Sequence, residues 1–249
     1  MDYNAHHSYG DRLKIRSAHQ NRHLSMNFDF FSHETAAQRS ADIAHLVIAG
    51  WAGRDKVALE NHIAELEQAG VPRPEVTPAF YRVGNNLLTQ ASEIQVSSAS
   101  SSGEVEAIIL NAAEGMWVGL GSDHTDRKLE AISVPLSKQV CPKPIAHCMW
   151  NFADVEGHWD ELELRSYRYD GVKRSLYQEG RLGVNMHPTE LIQLYEQRGN
   201  EFCTGTIMFC GTLAAKSEIS FSERFEMEIY DPILDRRISH GYDITALTG

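Results

Sequence analysis

The stretch that decides the fold is residues 103–127, GEVEAIILNAAEGMWVGLGSDHTDR. Its first half, Glu-Val-Glu-Ala-Ile-Ile-Leu, predicts a β-strand, and the period of two sends Glu104 and Glu106 to one face and the valine between them to the other. A second predicted strand, 116–120, returns beside the first and delivers Asp123 at its end. We therefore expect three carboxylates to converge on one hard cation, for which Mg²⁺, Mn²⁺ or Ca²⁺ is suitable.

A solvated strand face would give the same Glu-x-Glu spacing, because charged side chains usually lie at the surface. The five polar residues of 123–127 favour a functional site instead, since they follow a flexible Gly121-Ser122 pair. Polar loops that follow a rigid strand are a common location for binding residues.

The composition is that of an ordinary globular protein, with 249 residues, 42% hydrophobic residues and 9% aromatic residues. The length fits one large domain or two small ones. A net charge of −11 argues against a nucleic-acid partner. The sequence has neither an apolar run of membrane-spanning length nor a charged segment followed by an apolar one at its start, so we expect no membrane partner and a cytoplasmic location.

Four cysteines, Cys141, Cys148, Cys203 and Cys210, form neither a Cys-x-x-Cys pair nor a regular ladder. This spacing favours reduced thiols over a zinc site or a disulfide framework.

The first part of the chain divides into an extension and a first group of elements. Residues 1–25 are polar and lack periodicity, which predicts a disordered extension, whereas 26–30 alternate and predict a strand. A buried strand is predicted over 42–51, followed by a helix that Asp55 caps and Gly70 ends. Val57, Ile63 and Leu66 are expected to form the apolar side of this helix.

His62 and Glu65 lie three residues apart on that helix and therefore share a face. They are either a solvated surface pair or a functional dyad. In a dyad Glu65 would orient His62 and raise its basicity, so that His62 could abstract a proton from water or substrate.

Strands predominate in the remainder of the chain. Alternation and turn residues predict strands at 77–83, 93–96, 161–169, 172–177, 202–212, 224–230 and 237–244, and one helix at 190–198. The strand over 202–212 breaks at Gly211-Thr212, where the backbone could approach a ligand closely. Lys138 lies in a proline-framed segment that can form no long helix.

Taken together, these residues resemble the fumarylacetoacetate hydrolase superfamily, in particular its acylpyruvase-like members and an uncharacterised branch of them. The likeness runs from about Gly53 to the C-terminus. It implies an α+β fold that is mainly β, a rolled mixed β-structure with few peripheral helices. Residues 26–249 would form one domain, with N-terminal strands and a lid helix in 26–75 and a catalytic β-roll in 76–249. The resemblance also implies a homodimer.

The site residues implied by the resemblance follow the family motifs. The His–Glu pair of the lid helix matches His62 and Glu65 in NHIAELEQAGVPRPEVTPAFYRV, and Lys138 matches the family lysine. Metal ligands would be Glu104, Glu106 and Asp123, and substrate contacts would come from Arg127, Gly211 and Thr212. The chain departs from the family pattern at Lys128, where an aspartate is usual, and has Glu130 near a common glutamine.

The activity implied is a Mg²⁺- or Mn²⁺-dependent hydrolysis of a carbon–carbon bond in an acylpyruvate-like or 2,4-dioxo acid. Arg127 and Lys138 would offset the charge of this small anionic oxo acid. The same site could serve a decarboxylase, dehydratase, hydratase or isomerase acting on a 2-oxo or sugar-derived acid, because fold and metal do not fix the reaction. A non-catalytic metal-binding homologue is the third alternative.

Overall fold

The computed structural model describes residues 23–33, 35–68 and 70–247, except for the side chains of His62 and Leu66. Its strands are β1 Leu24–Phe31, β2 Ala36–Ile43, β3 His45–Gly50, β4 Ala79–Val83, β5 Leu88–Thr89, β6 Glu93–Val96, β7 Ser101–Ser102, β8 Val105–Ala112, β9 Gly115–Ser122, β10 Thr125–Asp126, β11 Lys143–Pro144, β12 Cys148–Asn151, β13 Glu163–Asp170, β14 Lys173–Arg181, β15 Thr206–Thr212, β16 Arg224–Asp231 and β17 Arg236–Ala246. Its helices are α1 Lys56–Gln68, α2 Arg127–Glu130, α3 Val134–Gln139, α4 Phe152–Val155 and α5 Pro188–Gln197, with 3₁₀ turns at Asn85–Leu87, Glu156–Glu161 and Leu182–Val184.

Two mixed sheets dominate the structure. The larger has the strand order β2-β1-β12-β9-β8-β15-β3-β4, and the smaller has the order β14-β13-β16-β17-β6. Strands β10 and β7 form one short pair, and β11 and β5 form another. The predicted α+β class with a predominance of strands is confirmed.

Strand β8 lies near the middle of the larger sheet, between β9 and β15, and is buried on both faces. Val105 and Ile109 pack into a core shared with the smaller sheet, whereas Ile108 and Leu110 pack into a second core with residues of β1. Burial on both faces explains the nearly continuous apolar run of this strand. Glu106 enters the protein interior because it lies on the same strand.

Two early boundaries differ from the sequence prediction. Strand β1 begins at Leu24, so the last two residues assigned to the extension lie in the sheet, and residues 1–22 lie outside the described residues. The strand predicted over 42–51 is two strands, because 42 and 43 end β2 and β3 starts at His45. Strand β2 was not predicted, since its Ala-Ala-Gln-Arg-Ser residues are exposed and show no apolar alternation.

Helix α1 begins and ends as predicted. Asp55 Oδ1 accepts hydrogen bonds from the amides of Val57 (2.8 Å) and Ala58 (3.1 Å), and Gly70 follows the helix with φ of +90°. Ile63 is buried as predicted, but the prediction for Val57 is wrong, because its side chain is exposed. An α-helix turns by about 100° per residue, so positions 57 and 63, which are six residues apart, lie on different faces of the helix.

The later elements occur where the sequence predicts them, but their ends differ, since the strand predicted over 202–212 begins at Thr206 and the one predicted over 172–177 extends to Arg181. Gly171, with φ of +56°, closes the hairpin between β13 and β14, and His187 caps α5 by accepting a hydrogen bond from the Thr189 amide. All four cysteines are free thiols. Among the described residues, no helix has both the length and the apolarity needed to cross a membrane.

Candidate metal centre

The β8–β9 hairpin brings the three predicted carboxylates together. Glu104 directly precedes β8, Glu106 pairs with Gly121 across the hairpin, and Asp123 directly follows β9. One oxygen from each of the three carboxylates lies within 4.8 Å of the others. This convergence follows from a short local hairpin, whose register leaves little freedom to the side chains at its open end.

Glu106 is held from the neighbouring strand β15. The Gly211 amide donates a 2.6 Å hydrogen bond to Glu106 Oε2, and Thr212 is the strand partner of Glu106. Gly211 has φ of +95°, a conformation that favours glycine, and a Cβ there would lie 3.0 Å from Ala52 Cβ. The Gly211 amide is therefore directed at the carboxylate of Glu106, and the predicted approach of this backbone to a ligand remains a prediction.

Thr212 uses its hydroxyl within the protein. The hydroxyl donates to the Val105 carbonyl (2.9 Å) and accepts from Gln178 Nε2 (2.8 Å). The side chain of Thr212 also lines the adjacent cavity, so its predicted contact with a substrate remains a prediction.

Asp123 lies between two lysines. Lys138 Nζ donates a hydrogen bond to Asp123 Oδ2. Lys143 Nζ lies 3.1 Å from Asp123 Oδ1 and donates a 2.5 Å hydrogen bond to the His124 carbonyl. Asp123 Oδ1 is buried, and Lys143 Nζ is its close partner. Lys143 was not predicted as a site residue, because a lysine between two prolines carries no periodicity that would indicate burial.

The two buried carboxylates, Glu106 and Asp123, differ in how far nearby positive charge offsets their burial. Burial raises the pKa of Glu106 well above its usual value, and the carboxylates of Asp123 and Glu104 raise it further. Burial would also raise the pKa of Asp123, but Lys138 and Lys143 outweigh burial and hold that pKa below its usual value. Lys138 and the Gly211 amide lower the pKa of Glu106, but they do not outweigh burial and the two neighbouring carboxylates.

These residues fit a hard divalent cation. They offer carboxylate oxygens alone, which suits Mg²⁺, Mn²⁺ or Ca²⁺. A cation near Glu106 would also add to the positive charge of Lys138, which alone does not offset the burial of this carboxylate.

Arg127 and Lys138 are both committed to carboxylates. Arg127 Nη2 lies 2.9 Å from Glu104 Oε1, and Nη1 lies 2.9 Å from Glu130 Oε2. Lys138 Nζ lies 3.9 Å from Glu104 Oε2, in addition to its contact with Asp123. The two cations predicted to meet an anionic substrate therefore lie at the acidic cluster.

The turn that carries Arg127 is fixed by its neighbours. Asp126 caps α2 by accepting hydrogen bonds from the Lys128 and Leu129 amides.

His124 faces away from the carboxylates, with Nδ1 3.1 Å from the Tyr242 hydroxyl and Nε2 2.9 Å from Ser101 Oγ. Burial, with the nearby cationic Lys143 and Arg127, lowers the pKa of His124 to about 3, so this histidine is neutral.

A cavity of about 350 Å³ opens beside the acidic cluster. Ala58 and Leu59 bring one face of α1 to its wall. Trp51 also lines it and has φ of 57°, which is rare for a bulky residue, while its indole donates to the Tyr81 hydroxyl (3.1 Å). A ligand beside the carboxylates would therefore meet an aromatic wall.

The predicted dyad on α1 remains a prediction. The His62 side chain lies outside the described residues, and Glu65 is exposed and absent from the described cavity wall. Two residues of the wall with amide side chains were not predicted, Gln178 and Asn185. Gln178 Oε1 accepts from the Val105 amide (3.0 Å), and Asn185 Nδ2 donates to the Gly211 carbonyl (3.0 Å).

Solved structures of several enzymes share the fold. A 2-keto-3-deoxyarabinonate dehydratase is 14% identical, with a TM-score of 0.62 over 85% of this chain and 78% of that one. A 5-carboxymethyl-2-hydroxymuconate delta-isomerase from Mycobacterium smegmatis is 15% identical, with a TM-score of 0.60 over 87% and 88%. A yeast fumarylacetoacetate hydrolase family protein is 12% identical, with a TM-score of 0.59 over 83% and 95%.

These likenesses confirm the fumarylacetoacetate hydrolase-like fold that the sequence motifs imply. No curated protein sequence matches the chain. Residues 49–242 match the family described as "Protein of unknown function (DUF2848)". That match spans the acidic cluster and most of both sheets, and the chain therefore belongs to the DUF2848 family.

Proposed function

We propose that this protein is a divalent-metal-dependent hydrolase that cleaves a carbon–carbon bond in an acylpyruvate-like or 2,4-dioxo acid. The observation that carries the proposal is the convergence of Glu104, Glu106 and Asp123, whose oxygens lie within 4.8 Å of one another in the wall of a cavity. We propose Mg²⁺ or Mn²⁺ as the ion, with Ca²⁺ as the alternative, because all three prefer oxygen ligands.

A divalent ion held by these carboxylates would supply Lewis acidity to the oxygens of a bound 2-oxo acid. Lys138 would stabilise the negative charge that develops on the substrate as the carbon–carbon bond breaks. Burial alone would lower the pKa of Lys138, but Asp123 and Glu104 outweigh burial and raise it, which keeps the ammonium charged. Arg127 would hold Glu104 in place through its 2.9 Å contact.

Hydrolysis also requires a group that takes a proton from water, and we propose His62, oriented by Glu65, for this role. Helix α1 supports the assignment because Ala58 and Leu59 line the cavity. Position 62 lies four and three residues beyond them, and these spacings place residues on a common helix face.

A lyase acting on a 2-oxo acid is the second candidate. The observation that favours it is the exposed position of Glu65, away from the described cavity wall. Loss of carbon dioxide or of water from a 2-oxo acid needs no activated water as nucleophile, so a lyase could act without this dyad.

Product analysis separates the candidates. Purified protein with Mg²⁺ would be incubated with acetylpyruvate, oxaloacetate and a 2-keto-3-deoxy acid, with Glu106→Gln as the matched inactive variant. Equal amounts of pyruvate and acetate from acetylpyruvate would support the hydrolase, because water adds to the acetyl carbon and the remaining fragment takes a proton. Turnover of the other acids alone would support a lyase. Metal binding without turnover of any acid would contradict both. The homodimer and the cytoplasmic location remain predictions.

A further inference from the structure

The two cationic residues of the cavity wall, Arg127 and Lys138, are already paired with carboxylates. Within the part of the chain that the structure describes, the charged residues of the wall are Glu104, Glu106, Asp123, Arg127, Glu130 and Lys138. The wall thus has four carboxylates and two cationic side chains. With a bound divalent ion, the formal charges of these groups would sum to zero. Arg127 contacts two of the carboxylates, and Lys138 contacts Asp123 and approaches Glu104. No cation of the described wall remains for a second anionic group on a ligand.

The rest of the wall is mostly apolar. It includes Trp51, Leu59, Val184, Leu213, Ile219 and several alanines. The wall also has five residues with polar side chains: Tyr81, Tyr177, Gln178, Asn185 and Thr212. The two amide side chains donate within the protein. Gln178 Nε2 donates to the Thr212 hydroxyl (2.8 Å) and to the Leu213 carbonyl (2.7 Å), and Asn185 Nδ2 donates to two carbonyls of the 211–212 turn.

We infer that the substrate is a monoanionic 2-oxo acid with an uncharged, apolar tail that lies against Trp51, Val184 and Leu213, and that the site discriminates against dicarboxylates. This inference rests on the proposed function, which places the 2-oxo acid group at the carboxylate cluster. A volume of about 350 Å³ holds on the order of ten non-hydrogen atoms, taking about 30 Å³ for each.

The discrimination has a simple physical cause. A carboxylate at the far end of the substrate would leave water for a wall whose described cations are already paired and whose two amide side chains already donate within the protein. Removal of an ion from water without a partner costs far more than removal of a methyl group, which gains from burial. Specificity would therefore arise from rejection of the charged tail as well as from attraction of the apolar one.

Two inert acids of similar size test the inference directly. One is 2-oxoglutarate, and the other is 5-methyl-2-oxohexanoate, in which an isopropyl group replaces the distal carboxylate. Titration calorimetry would measure the binding of each to the protein saturated with Mn²⁺. We expect the isopropyl compound to bind at least about tenfold more tightly. Equal affinities, or tighter binding of 2-oxoglutarate, would overturn the inference while leaving the proposed function intact. If neither acid binds to protein that holds Mn²⁺, the proposed function fails as well.

A pair of matched variants tests whether the apolar tail of the substrate lies against the wall at Val184. Val184 lines the cavity and is 54% exposed, whereas Val76 does not line it and is 53% exposed. Val184→Arg would place a cation at the apolar wall, and we expect it to reduce or reverse the preference for the isopropyl compound. Val76→Arg adds the same charge elsewhere and should preserve the preference. An unchanged preference in Val184→Arg would overturn the placement of the tail against this wall.

Discussion

Lys143 Nζ lies 3.1 Å from Asp123 Oδ1, and both side chains are fully buried. Lys138 contacts the other oxygen of the same carboxylate. Asp123 is therefore flanked by two lysine side chains at the point where we propose a divalent ion. Burial lowers the pKa of Lys143, and Asp123 opposes this shift. Because the ion and the lysines act on the same carboxylate, the stability of the protein and its metal affinity should be coupled.

The substitution Lys143→Met tests this coupling. Without metal, we expect the free energy of unfolding to fall by about 3 kcal/mol, because removal of one partner leaves a buried charge less compensated. With saturating Mn²⁺ the difference from the parent protein should shrink, since the ion supplies positive charge at Asp123 and no longer meets repulsion from position 143. Urea unfolding with and without Mn²⁺ measures both differences.

Lys216→Met is the control for that experiment. Lys216 is an exposed lysine whose Nζ lies 2.9 Å from Glu179 Oε2. An exposed pair of this kind contributes little, so we expect a change below about 1 kcal/mol that does not depend on Mn²⁺. If the Lys143→Met difference were the same with and without Mn²⁺, Asp123 would not belong to the metal site.

Glu106→Gln should separate metal binding from folding. The amide keeps an oxygen that can accept the hydrogen bond from Gly211 but carries no charge. We expect the Mn²⁺ affinity to fall about a hundredfold or more, whereas the metal-free protein should be at least as stable as the parent, because a charge disfavoured by burial is removed. Titration calorimetry and urea unfolding give the two quantities.

Glu114→Gln provides the comparison within the same hairpin. Glu114 lies in the turn between β8 and β9, at the opposite end from Glu106, and pairs with Arg39 at 2.7 Å on the surface. Its substitution should leave the Mn²⁺ affinity unchanged. A Glu106→Gln variant that bound Mn²⁺ as tightly as Glu114→Gln would remove Glu106 from the ligand set.

His124 gives the metal-free protein a pH dependence of known sign. Its pKa falls from an ordinary value of 6.5 to about 3 on folding, so between these values the unfolded chain binds a proton that the folded chain does not. Stability should therefore decrease as the pH falls from 6.5 towards 3, by up to about 1.4 kcal/mol per pH unit from this group. His124→Gln should flatten the slope, as measured by urea unfolding at several pH values.

Tyr242→Phe distinguishes titration from packing in that experiment. It removes the hydroxyl that lies 3.1 Å from His124 Nδ1 but leaves the imidazole in place. We expect lower stability at every pH with an unchanged slope. A slope that His124→Gln leaves unaltered would show that other groups control the acid sensitivity.

The carboxylate cluster could be predicted from the sequence because it is local. Glu104, Glu106 and Asp123 lie at the open end of one hairpin, and alternation with a short turn is enough to bring them together. The sequence indicated that the backbone at Gly211 could make a close contact. It did not indicate that Gly211 contacts Glu106, because the two residues are 105 positions apart along the chain.

The supporting residues could not be predicted for the same reason. Gln178 accepts from the Val105 amide across 73 residues, and its apolar and charged neighbours in the sequence give no indication of that contact. Lys143 is fully buried although lysines rarely are. Strand β2 was missed because an exposed edge strand needs no apolar alternation. Contacts between distant segments are set by the packing of the two sheets, which periodicity along the chain does not encode.

The dyad on α1 can be tested with two glutamates of one helix. Glu65→Gln removes the carboxylate proposed to orient His62, whereas Glu67→Gln removes one that lies 2.9 Å from Arg73 on the surface. If the dyad activates water, kcat on acetylpyruvate should fall about a hundredfold or more in Glu65→Gln alone. The pH at which kcat/KM reaches half its maximum should also shift downwards, because His62 would lose the anionic partner that raises its basicity. Equal rates and equal pH profiles for the two variants would contradict this role of Glu65, and they would favour a reaction in which no histidine–glutamate pair takes a proton from water.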